Sequence, residues 1–141
     1  MNPSHLRIVL RSATLVLAGL ALCGASSAQD TDGPFNDGDW SASVEGSEAG
    51  YRTARVRVAD FAGTWHDTSP TRAVRERACA GKRFKITVQR SRTTDMEFTV
   101  WGSSVSPACP DLPVLLKPSD DGKSWTGTIG KEGRLRLVKL R

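Results

Sequence analysis

The chain is poor in the side chains that carry most enzymatic and metal chemistry. Its 141 residues include two histidines, three cysteines, two methionines and one tyrosine. With so few ligands and bases, it holds no CxxC pair, no HExxH helix, no glycine-rich phosphate loop and no nucleophile elbow. It also lacks an apolar run of the roughly 20 residues that a membrane-spanning helix needs. Charge of one sign is only mildly in excess, 20 Lys and Arg against 15 Asp and Glu for a net of +5. That length and composition suit one small globular domain with one core.

What is present is strongly ordered along the chain. His5, Arg7 and Arg11 precede a short apolar stretch at residues 13–22, and Ser26, Ser27 and Ala28 follow it. A positive region, an apolar region and small residues, in that order, predict a secretory signal peptide over 1–28, cleaved after Ala28. Cys23 offers a lipid anchor as the alternative, with Leu22 in the place where a small residue normally precedes such a cysteine. Export to the periplasm or beyond is the expectation, with no transmembrane segment once the signal is removed. The remaining cysteines, Cys79 and Cys109, are then expected to form one disulfide in an oxidising compartment. A bridge closing a loop of that size contributes roughly 3–4 kcal/mol.

Residues 29–50 carry six acids and no base, with four glycines and one proline. This composition predicts an acidic flexible arm, in which Trp40, Ala42 and Val44 alternate with serines and mark a short edge strand. From residue 51 the balance inverts to 18 bases and nine acids, and the 51–141 segment is expected to be the folded domain. There the apolar residues recur with period two. Ala54, Val56 and Val58 alternate with Arg55 and Arg57; Phe84, Ile86 and Val88 alternate with Arg83, Lys85 and Thr87. Met96, Phe98 and Val100 oppose Glu97, Thr99 and Trp101, and Leu135 and Leu137 oppose Arg134 and Arg136. Similar segments at 61–65, 112–117 and 124–129 complete an all-β antiparallel meander of six or seven strands curled into a small barrel. Ser69 and Pro70 ahead of an Arg- and Ala-rich stretch ending at Gly81 predict one short helix over 70–80. Phe84, Ile86, Val88, Met96, Phe98, Val100, Trp125, Leu135 and Leu137 form an inward set bulky enough to fill a barrel of this size.

The triplet Gly63-Thr64-Trp65 resembles the G-x-W start of calycin-like barrels such as lipocalins and avidins. Bacterial protease-inhibitor barrels with one disulfide share that start. The resemblance implies a barrel whose opening strand carries the triplet, and Trp101 and Trp125 do not reproduce the avidin arrangement of biotin-contacting tryptophans.

Candidate sites divide by chemistry. His66 is the one residue placed to act as a base near neutral pH, with Ser103 and Ser104 as conceivable nucleophiles, but their spacing matches no catalytic pattern. The acids around Asp32, Asp37 and Asp39 only faintly resemble calcium loops, since Pro34 and Ser41 stand where ligands are needed. No cofactor, metal or catalytic residue is expected. The most specific feature is three i, i+2 pairs of bases, Arg55/Arg57, Arg83/Lys85 and Arg134/Arg136, each projecting from one sheet face, with Trp101 as an aromatic anchor. Nucleic acid is not expected as a partner, because no aromatic stripe interleaves the bases and export separates the protein from DNA and RNA. The function expected is a non-catalytic binding or inhibitory module that recognises an envelope protein or an anionic envelope polymer. A lipocalin-like carrier of a small apolar ligand and an enzyme are the alternatives.

Overall fold

The structure is a computed structural model and describes residues 32–33, 36–70 and 79–141. The period-two segments become eight strands: β1 Gly38–Glu45, β2 Thr53–Ala59, β3 Ala62–Asp67, β4 Arg83–Ser91, β5 Met96–Trp101, β6 Leu112–Pro118, β7 Ser124–Ile129 and β8 Gly133–Lys139. Each strand pairs antiparallel with its sequence neighbours, and β1 pairs with β8, so the sheet closes into a barrel. The alternation seen in the sequence is the alternation of burial. In β2 every second residue, Ala54, Val56 and Val58, is buried and the residues between are exposed.

Eight strands form instead of six or seven: the eighth, β1, carries the Trp40, Ala42 and Val44 alternation expected as a short edge strand, and it pairs on both sides instead of lying at an edge. It lies inside the 29–50 stretch that charge composition assigned to a flexible arm. Trp40 pairs with Val56 on one side and Lys139 on the other, so this part of the stretch is a stave of the barrel. Its buried Trp40, Ala42 and Val44 outweigh its acids, because Asp39 and Glu45 sit at outward positions where charge costs nothing. The residues just before it are also engaged. Asn36 donates its side-chain amide to Ser91 Oγ and to the Arg92 carbonyl, and Gly33 N–H donates to the Ser91 carbonyl. Asp32 accepts from Ser91 N–H and ion-pairs with Arg92 at 3.3 Å.

The helix expected over 70–80 falls largely on 71–78, outside the described residues; among the described residues there is no α-helix. The signal peptide expected over 1–28 also lies outside them. Gly63, Thr64 and Trp65 sit on β3, not on an opening strand, because β1 and β2 precede them. Gly63 is required there: a Cβ would collide with the carbonyl oxygen of Arg57 on the neighbouring β2.

The barrel interior is filled. Trp65, Tyr51, Phe84, Phe98, Met96, Leu112, Ile129 and Leu137 are all essentially inaccessible, and of the inward set only Trp125 stays partly exposed, at the β7 end. Tyr51 packs with ring centroids 5.7 Å from both Trp65 and Phe84. Among the described residues its hydroxyl has no hydrogen-bond partner, and burial, reinforced by the nearby Asp67 carboxylate, raises its pKa far above the ordinary tyrosine value. Asp67 itself is buried and fully engaged: it accepts from Ser69 Oγ at 2.6 Å and from Gly81 N–H at 2.7 Å. The expected disulfide is present. Cys79 and Cys109, with Cα atoms 5.5 Å apart, tie the β3–β4 connection to the β5–β6 loop at one end of the barrel.

Candidate anion-binding face

The outward residues of β2, β3 and β4 meet in two adjacent rows. In one row Arg55 is opposite His66, and His66 is opposite Arg83. In the next, Arg57 is opposite Thr64, Thr64 is opposite Lys85, and Lys85 is opposite Trp101 on β5. Pairing of β3 with β2 and β4 therefore brings four of the six expected bases to one patch. Their backbones are spaced about 7 Å along each strand and about 10 Å across the intervening β3. All four are exposed, and among the described residues none has an ion pair or side-chain hydrogen bond. By contrast, Arg90 is held by Asp95 and Glu97, which raise its pKa, and Arg92 is held by Asp32.

A shallow groove of about 470 Å³ opens over the β2 side of the patch, lined by Arg55, Arg57, Thr64, His66 and Arg83 together with Arg141, the apolar Trp40, Val56 and Leu140, and Asp39, which lies opposite Arg57; Lys85 and Trp101 lie outside it. The barrel wall supplies rigidity, since each of these side chains stands on a strand paired on both sides. Like charges at this spacing repel when exposed and unpaired, and a bound anion relieves that repulsion.

Trp101 ends β5, at the start of the β5–β6 loop. Its indole N–H donates to Thr87 Oγ1 at 3.0 Å, which holds the ring along the outer face of β4, beside Lys85. It remains 38% exposed, so it extends the patch with an apolar surface. The third pair, Arg134 and Arg136, lies on β8, on the other side of β1 from β2. Arg136 donates to Ser124 Oγ and ion-pairs with Asp121 at 3.6 Å. Asp121 is itself held below the usual carboxylate range, first by the Lys123 N–H. This pair borders a separate depression with Thr126, Ser43 and Glu45.

His66 and Thr64, at the centre of the patch, were not recognised as part of it from the sequence. The serines considered as nucleophiles are engaged elsewhere: Ser103 Oγ donates to Asp111 and Ser104 Oγ donates to the Trp101 carbonyl. Among the described residues no group of three or more His, Cys, Asp and Glu could hold a metal ion. Of the acids in the faint calcium-like runs, Asp32 binds Arg92 and Asp37 accepts from Asp60 N–H at 3.0 Å.

The fold and face together define a closed, filled, disulfide-linked eight-stranded barrel with an exposed, predominantly cationic patch on its wall. Comparison with protein-family models, with curated proteins and with solved structures finds no significant match.

Proposed function

We propose that this protein is an exported, non-catalytic binding or inhibitory module that captures an anionic macromolecular partner in the cell envelope. The carrying observation is the patch of Arg55, Arg57, Arg83 and Lys85, unpaired and in register around Thr64 and His66. An interior filled by Trp65, Phe84, Phe98 and Leu137 favours recognition on the outer wall over carriage of a small apolar ligand inside it. The signal-like segment and the Cys79–Cys109 bridge favour a periplasmic or secreted location. Capture runs through exposed charge, so it weakens with salt over a Debye length of about 8 Å at physiological ionic strength.

The test reverses charge on one strand. Arg83→Glu combined with Lys85→Glu leaves the melting curve close to that of the parent, because exposed unpaired charges contribute little to folding. The same variant loses capture of the partner from envelope extract. Undiminished capture by this variant would place the binding surface elsewhere.

A further inference from the structure

The cationic face has three properties that together select its partner, and the selection rests on the binding reading just given. First, the charge is presented mainly by guanidinium groups, whose forked donors match carboxylate and sulfate oxygens two at a time. Second, hydroxyl side chains stand between and beside the cations: Thr64 lies between Arg57 and Lys85, and Ser41 lies opposite Arg55. Third, among the described residues Trp101 is the one large apolar side chain of the patch that is exposed, fixed along the wall by its bond to Thr87, while Trp40, Val56 and the half-buried Leu140 line the groove beside it. The other exposed large apolar residues, Val105, Leu115 and Val138, belong to the β5–β6 loop, β6 and β8.

A protein partner is poorly served by this combination. Protein interfaces gather several aromatic anchors at their centre, with arginines among them, and deplete the other charges there. Here the centre is charged and the single exposed aromatic group is at the edge. A sugar polymer has the opposite needs: anionic substituents for the arginines, ring hydroxyls for threonine and serine, and an apolar ring face for one indole. The groove is open and shallow, as suits a chain lying along the wall, and the rigid strands beneath it require no ordering on binding.

We infer that the partner of this face is an acidic polysaccharide, its carboxylate or sulfate groups held by Arg55, Arg57, Arg83 and Lys85 and a sugar ring resting against Trp101. Arg134 and Arg136 lie outside the contact, across β1.

The experiment titrates the purified protein with four probes of matched length: an oligogalacturonate, a sulfated dextran oligomer, a neutral malto-oligosaccharide and a poly-glutamate peptide. Binding is read by calorimetry and by tryptophan emission. At least one anionic sugar binds, the neutral sugar does not, and poly-glutamate binds at least about tenfold more weakly, since it lacks the ring contact and the hydroxyls. Which anionic sugar binds identifies carboxylate or sulfate as the recognised group. Arg55→Gln with Arg83→Gln weakens sugar binding about tenfold or more through loss of charge-assisted hydrogen bonds. Trp101→Ala weakens it about fivefold and abolishes the emission change. Arg134→Gln leaves it unaltered. Poly-glutamate binding as tightly as the sugars, with the same loss in the arginine variant, overturns the polysaccharide assignment and retains an anionic protein as partner. Binding of no anionic probe, or binding that the arginine variant does not weaken, overturns the binding reading as well.

Discussion

Lys85 and Trp101 face each other across β4 and β5, yet the indole N–H of Trp101 is bonded to Thr87, the next outward residue along β4. An ammonium and an indole are thus presented side by side on one wall, and a single exposed hydroxyl sets the position of the ring.

Thr87→Val keeps the shape of the side chain and removes the acceptor. The expected result is a shift of the Trp101 indole N–H resonance and faster hydrogen exchange at that group. Stability falls by no more than about 1 kcal/mol, the usual net worth of one exposed hydrogen bond. An unmoved indole resonance would show that Thr87 does not hold the ring.

Tyr51 makes the fold sensitive to alkaline pH. Its phenol is raised above the ordinary value of 10.0 by burial and then by Asp67. The unfolded chain ionises first, so stability is complete below about pH 10 and declines as the pH rises beyond it. Tyr51→Phe removes a buried hydroxyl that has no partner among the described residues. At neutral pH the variant stays within about 1 kcal/mol of the parent. Above pH 10 it is the more stable of the two, which denaturant titrations at pH 7 and pH 11 measure directly.

Gly127 and Gly122 contain the same residue under different constraints. At Gly127 a Cβ would meet the carbonyl oxygen of Leu115, backbone that cannot give way, whereas nothing lies near a Cβ at Gly122. Gly122 has a φ of +63°. Gly122→Ala is expected to cost about 1–2 kcal/mol in backbone strain alone. Gly127→Ala costs roughly 3 kcal/mol or more by forcing β6 and β7 apart. Chemical denaturation of the two variants gives the ranking; equal losses would contradict it.

Removal of residues 1–31 and removal of residues 1–50 should have opposite consequences. The shorter deletion retains β1 and the residues at Asp32, Gly33 and Asn36 that bond the end of β4. The longer deletion strips the partner from both β2 and β8 and exposes two strand edges. Cooperative thermal unfolding is expected for the first product and aggregation for the second, as followed by circular dichroism and size-exclusion chromatography.

The staves were legible because each is amphipathic with period two, and seven of them appear in the sequence within a residue or two of their final ends. β1 was legible as a short strand in its Trp40, Ala42 and Val44 alternation, but not as a stave paired on both sides. The six acids across 29–50 point to an arm by composition, yet Asp39 and Glu45 occupy the solvent phase of that strand and leave its other phase free to pack. The patch was half legible. Arg55/Arg57 and Arg83/Lys85 stand out as pairs, but His66 joins them only through the β2–β3 register. That register follows from a two-residue turn at Asp60 and Phe61, both with positive φ, 48° and 59°. Turns of this kind ordinarily announce themselves with Asn-Gly or Asp-Gly, and a phenylalanine at the second position hid this one. The separation of Arg134 and Arg136 from the patch was not legible. It depends on β1 lying between β8 and β2, and the tether of Arg136 to Asp121 is a contact between distant positions.

The pairing of β1 with β8 has a further consequence for how this surface can change over time. A sheet with an open edge offers its backbone to partners, and any recognition built on that edge is bound to the conformation of the strand. Here the staves pair on both sides, so a partner meets the wall through side chains. Each outward position can be exchanged singly without altering the core beneath it or the register beside it. The wall is therefore a grid of independently replaceable contacts, and specificity can drift from one anion to another by single substitutions while the barrel stays the same.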